Sequence, residues 1–207
     1  MHETLENNNT MKMKHLFLTA IMTVALGAFQ PTYANTIKDD AFTILEAVGN
    51  ISSIEVHGNV ELFVTDAAAD QIKVYNKYYA ENAVVQNRDG RLHISSYGNE
   101  KLVIWVKAKD LRSVELFDNA QVSSFGTLSK IELKVALHNN SSANLNLDAY
   151  KLSLDVQDNA KADIQGGADV LNLNKAVEQN VNRGNFAAMN VYENKQIAVA
   201  AKQVSAI

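Results

Sequence analysis

Apolar and polar residues alternate over much of the chain. In "SSIEVHGNVELFVTD", Ile54 and Val56 alternate, then Val60, Leu62 and Val64, with "HGN" between them as a turn signal. "QIKVYN" continues with Ile72 and Val74. "AVVQNRDGRLHISS" sets Asp89-Gly90 between two apolar stretches, which predicts a β-hairpin. "KLVIWVKAKDLRSVELF" adds Leu102, Ile104 and Val106, then Val114 and Leu116. A period of two places such side chains on one face of a strand. "DAAADQ" and "KYYAENA" are too short to stand as helices.

From Leu111 the hairpin pattern gives way to a repeat. Apolar groups recur as Val114/Leu116, Ile131/Leu133/Val135, Leu152/Leu154/Val156 and Leu171/Leu173. The phrases "DNAQ", "HNNS", "DNAK" and "EQNV" start at 118, 138, 158 and 178, each 20 residues apart. A period near 20 belongs to a β-solenoid coil or a short leucine-rich repeat. The leucine-rich consensus is absent and the intervening segments lack helical periodicity, so the repeat predicts a β-solenoid with coils about 4.8 Å apart. Asn tolerates the left-handed backbone of tight corners and stacks in side-chain ladders along a repeat. The expected fold is all-β: N-terminal β-hairpins leading into a short parallel β-solenoid.

The first 34 residues stand apart. Lys12 and Lys14 precede an apolar run from Leu16 to Phe29, followed by "PTYA" ending at Ala34, the layout of a secretory signal peptide. The run is short for a membrane span. "MHETLENNNT" (1–10) is acidic and polar, unlike the front of a signal, which points to Met11 or Met13 as the start. Residues 35–207 are then a single exported domain, with no stable membrane insertion after cleavage. Periplasm, outer cell surface and secretion all remain open.

Charge and composition narrow the function classes. A net charge of −4 argues against nucleic acid as a partner, because phosphate binding needs a concentrated basic surface. The absence of cysteine excludes disulfides, thiolate metal sites and a thiol nucleophile. The one proline, Pro31, lies in the leader, so every later backbone N–H can donate to a β ladder.

No reaction is legible. His57, in the "HGN" turn, His93 and His138 form no closely spaced metal motif and no nucleophile–base pair. With a 20-residue coil, Asp118, His138, Asp158 and Glu178 form a corner column, beside Asn119, Asn139 and Asn159. Such a column could offer oxygens to calcium, or His with carboxylates to zinc, but the alternate steps of 21 and 19 disturb it and the calcium β-roll nonapeptide is missing. The reading is a solvated polar row, with no cofactor and no metal. Asp148, Asp155, Asp163 and Asp169 show no spacing that singles out a catalytic pair. Tyr75, Tyr78, Tyr79 and Trp105 could stack on a sugar or pack at an edge.

"ISSIEVHGNVELFVTDAAADQIKVYN", "VVQNRDGRLHISS", "LVIWVKAKDLRSVELFDNAQVSS" and "KLSLDVQDNAKADIQGGAD" together resemble the auto-transporter adhesin head GIN domain family, exported proteins common in Bacteroidetes. The resemblance covers roughly 42–200. It implies N-terminal strands running into a right-handed parallel β-helix-like stack, and an adhesin-like role. The corners here are Asn-Ala or Asn-Asn where the family favours glycine, and the glycine-rich closing coil is replaced by "QIAVAAKQVSAI".

The expected function is therefore a non-enzymatic, exported cell-envelope or secreted binding protein. It would contact a glycan or protein ligand through Asp118, Asn119, His138, Asn139, Asp158 and Asn159, or through Tyr78 and Tyr79. A periplasmic structural or stress-related protein is the alternative, and a carbohydrate-active β-helix enzyme a more distant one. An open solenoid end also suggests a homo-oligomer.

Overall fold

A computed structural model of the chain describes residues 42–45, 49–75 and 82–195, all within one compact unit, Asp40–Ile207. The signal-peptide segment, Tyr78 and Tyr79 lie outside the described residues. The strands of the first part are β1 (Thr43–Leu45), β2 (Ser53–Gly58), β3 (Val60–Asp66), β4 (Gln71–Val74), β5 (Ala83–Arg88), β6 (Arg91–Ser96) and β7 (Leu102–Ala108). Then come β8 (Ser113–Leu116), β9 (Gln121–Ser124), β10 (Leu128–Leu137), β11 (Ser142–Val156), β12 (Lys161–Lys175), a 3-10 turn (Glu178–Asn180) and β13 (Val181–Lys195).

Among the described residues, all thirteen strands join one sheet. It curls so that its inward residues meet in a single core. Each of β11, β12 and β13 is 15 residues long, and β11 pairs β9 through Ser142–Asn144 and β10 through Leu147–Val156. Within β12, Gly166 has φ +96, and a Cβ there would lie 2.1 Å from the Leu147 carbonyl oxygen, so only glycine fits.

The alternation seen in the sequence becomes rows of core side chains. Leu92, Ile54, Val114, Val135, Leu154 and Leu173 are register partners from β6 through β2, β8, β10 and β11 to β12. All are buried. Ile94, Val56, Leu116, Leu137 and Val156 form a parallel row one pleat along. Each such side chain taken from water stabilises the fold by about 1.5–3 kcal/mol.

Two sequence expectations are corrected here. The Asp89-Gly90 hairpin is present, joining antiparallel β5 and β6 with both residues at positive φ. "HGN", however, turns no hairpin: His57 and Gly58 end β2, which pairs in parallel with β6 and β8, while β3 pairs in parallel with β7 and β9. The parallel stack thus begins at Ser53, well before Leu111. Side-chain alternation is the same in parallel and antiparallel strands, so the pattern alone could not separate them.

The second correction concerns the repeat. Val114, Val135, Leu154, Leu173 and Glu193 are successive register partners, giving steps of 21, 19, 19 and 20 residues. The mean is close to 20, but the first step is one longer. Ile131, expected among the inward apolar residues, is 84% exposed, and Leu137 takes the third inward place.

Candidate binding groove at the stack corner

The corners follow from backbone chemistry. Asp118, Asn139 and Asp158 have φ of 59°, 57° and 53°, the left-handed conformation that only Gly, Asn and Asp enter at low cost. Gly58 takes the matching place on β2 with φ 84°. A ladder of hydrogen bonds ties them. The Gly58 N–H donates to Asp118 Oδ2 (3.0 Å), the Asp118 N–H to Asn139 Oδ1 (3.0 Å), and the Asn139 N–H to Asp158 Oδ2 (2.9 Å). Each side chain thereby satisfies a backbone donor that the turn leaves without a strand partner.

The 21-residue step decides which residues share this ladder. Asn139, not His138, aligns with Asp118. His138 falls one place earlier, in line with Phe117, and its ring stacks on Phe117 at 4.6 Å. The column Asp118–His138–Asp158–Glu178 read from the 20-residue spacing is therefore not assembled. Glu178 lies in the 3-10 turn after β12.

At the first corners the ladder opens onto a shallow groove of about 740 Å³. Asp118 and Asn119 line it, as the sequence suggested, together with Asn59, Tyr97, Lys101 and Gln121. Tyr97 is 73% exposed and presents a ring beside the amides. The Lys101 ammonium donates to Gln121 Oε1 at 3.0 Å, and the Asn59 amide reaches the Asn99 carbonyl at 3.4 Å. Asp118 Oδ2 is already committed to Gly58. Asn139, Asp158 and Asn159 continue the corner away from the groove, with the Asn159 amide 3.5 Å from Asn140 Oδ1.

Such a surface suits a polyhydroxylated ligand. A phenol ring offers an apolar platform to sugar C–H groups, and amides donate and accept at once, as hydroxyls require. Tyr97, Lys101, Asn59 and Gln121 were not among the residues singled out by sequence. The signal that could have found them is "SSYGNEK": a turn phrase closing an alternating strand, with an aromatic at its corner.

A second aromatic group lies on the outer face of β3, β4 and β7. Phe63 and Trp105 are register partners and stack at 4.9 Å. Phe125 meets Trp105 at 5.1 Å and Tyr75 meets it at 6.4 Å. Trp105 points outward because its neighbours Ile104 and Val106 fill the core. Its rings largely cover one another, leaving Phe125 and Tyr75 as the exposed members.

Solved structures share the fold. A crystal structure from Bacteroides fragilis, described as a "putative adhesin", superposes with a TM-score of 0.64 at 15% identity, covering 75% of this chain and 75% of that one. One from Parabacteroides distasonis with the same description gives 0.58 at 15% identity, covering 75% and 66%. Another from Parabacteroides distasonis, described as a "putative lipid binding protein", gives 0.55 at 12% identity, covering 74% and 77%. No curated protein matches the chain significantly. The sequence profile described as "Putative auto-transporter adhesin, head GIN domain" matches residues 50–197. With that match spanning most of its length and the parallel corner-stacked sheet beneath it, the chain belongs to the head GIN domain family.

Proposed function

We propose that this chain is an exported, non-enzymatic binding protein of the cell envelope or secreted space, adhesin-like in role, that holds glycan in the corner groove. The observation that carries this reading is Tyr97, 73% exposed among Asn59, Lys101, Asn119 and Gln121 in one groove. The family description and the adhesin-described neighbours point the same way. The leader read from sequence supports export. We also read the parallel stack, with its steps of 19 to 21 residues, as a short right-handed solenoid.

Where the sequence suggested a homo-oligomer through an open end, we infer a monomer instead, a reading supported by the charges on β13. Among the described residues β13 pairs with β12 alone. Its Glu193 takes the register place next to core Leu173, and Arg183 pairs with it at 2.8 Å. Charged side chains on an edge strand are a device by which such strands resist further strand addition. The reading here is a monomeric binding module.

Whole cells test the proposal. Cells producing the chain with a tag after Ile207 are treated with protease, and their retention on immobilised glycans is compared with that of cells producing Tyr97→Ala. Tag loss from intact cells, with retention that falls in the variant, supports the reading. A tag protected until the outer membrane is opened would refute the surface adhesin and favour a periplasmic role.

A further inference from the structure

On the outer face of β2 and β6, Glu55 and His57, two residues apart on β2, meet His93 on β6. Glu55 is the register partner of His93 on β6 and of Glu115 on β8. His57 Nε2 lies 2.9 Å from Glu55 Oε1, and His93 Nδ1 lies 3.5 Å from the same oxygen. One ligand atom from each of Glu55, His57 and His93 falls within 4.8 Å of the other two. Metal–ligand bonds near 2.0–2.2 Å need donor atoms about this close together.

The surroundings fix this arrangement. The His57 ring lies flat on Phe117, with centroids 4.4 Å apart and planes 2° from parallel. Arg91 Nη1 reaches Glu55 Oε2 at 3.3 Å, which leaves Oε1 as the oxygen facing both imidazoles. Outer partners of this kind orient a coordinating carboxylate. Glu115 adds a second carboxylate alongside, engaged with His138 Nε2 at 3.2 Å. Arg91 opposes a bound cation, but its side chain is 67% exposed, where water and salt screen it.

We propose that Glu55, His57 and His93 form a surface site for a divalent transition metal ion, with Glu55 Oε1, His57 Nε2 and His93 Nδ1 as ligands and the remaining positions open to water or an incoming ligand. Two imidazoles with one carboxylate suit zinc and its borderline neighbours, where calcium and magnesium prefer all-oxygen sets. The site stands apart from the groove argument and does not depend on the glycan reading.

The test uses the chain purified without a polyhistidine tag. Zinc binding is measured by equilibrium dialysis and calorimetry for the wild type, His57→Gln, His93→Gln, Glu55→Gln and His138→Gln. The expected result is one zinc per chain, weakened more than about tenfold by each of the first three changes, since even outer-sphere changes cost that much. His138→Gln leaves uptake unchanged, and X-ray absorption of the zinc form shows two imidazoles. Far-UV circular dichroism checks each fold. If His57→Gln unfolds, the more exposed His93 and the conservative Glu55→Gln decide the outcome. A wild type that takes up no zinc overturns the site, as does binding that persists undiminished in folded His93→Gln and Glu55→Gln.

Discussion

Asp118 donates its backbone N–H to Asn139 Oδ1 at 3.0 Å, and both residues hold a left-handed backbone, at φ 59° and 57°. One residue type thus meets two needs of the corner. Asn139→Ala removes the acceptor and puts a Cβ without local hydrogen bonding into that conformation. The expected loss is about 2–3 kcal/mol, from a hydrogen bond of about 1 kcal/mol and left-handed strain of about 1–2. Asn139→Gly recovers the strain part only. Urea unfolding of the three proteins checks the order.

The glycines separate strain from collision. Gly58 and Gly126 both have positive φ, +84 and +82. A Cβ at Gly58 would sit 2.1 Å from the Ser96 carbonyl oxygen and 3.2 Å from Tyr97, whereas at Gly126 it meets nothing within 4 Å. Gly126→Ala should cost about 1–2 kcal/mol of left-handed strain alone. Gly58→Ala should cost clearly more and displace Tyr97. Thermal unfolding, together with the Tyr97 ring signals in NMR, measures both effects.

At the last described strands, charge enters the core rows. Lys175 follows Val156 in a core row, its side chain 5% exposed, paired with Glu178 at 2.7 Å and Glu193 at 3.4 Å. Lys175 is buried while its carboxylate partners reach solvent, and a buried charge that loses one of its partners is costly. Glu193→Ala should therefore lower the unfolding temperature. Arg183→Val with Glu193→Val should instead make the molecular mass rise with concentration in light scattering, because the charges on β13 are gone. A double variant that stays monomeric at high concentration would show that those charges do not guard the edge.

The sequence carried the strands and much of the core, because burial on one sheet face imposes alternation whatever the partner. Asp89-Gly90 was legible for a local reason: a two-residue turn fixes its own backbone. Pairing direction was not, and neither was the placement of β6 and β7 outside β2 and β3, since both depend on contacts far apart in the chain. Asp118 and Asn119 were found at the corner by their repeated phrase. His138 was misplaced by a single residue because a first step of 21 hides inside a mean near 20. His57 and His93 gave no motif because β2 and β6 bring them together across 36 positions of sequence.

The most direct measurement is a glycan array probed with the purified chain and with Tyr97→Ala, a change at an exposed ring that should leave the fold intact. The wild type should bind a defined set of glycans and Tyr97→Ala should lose most of that signal, since stacking on one aromatic contributes on the order of 1 kcal/mol. Binding that survives Tyr97→Ala undiminished, or an array on which the wild type binds nothing, would contradict the corner groove as a glycan site.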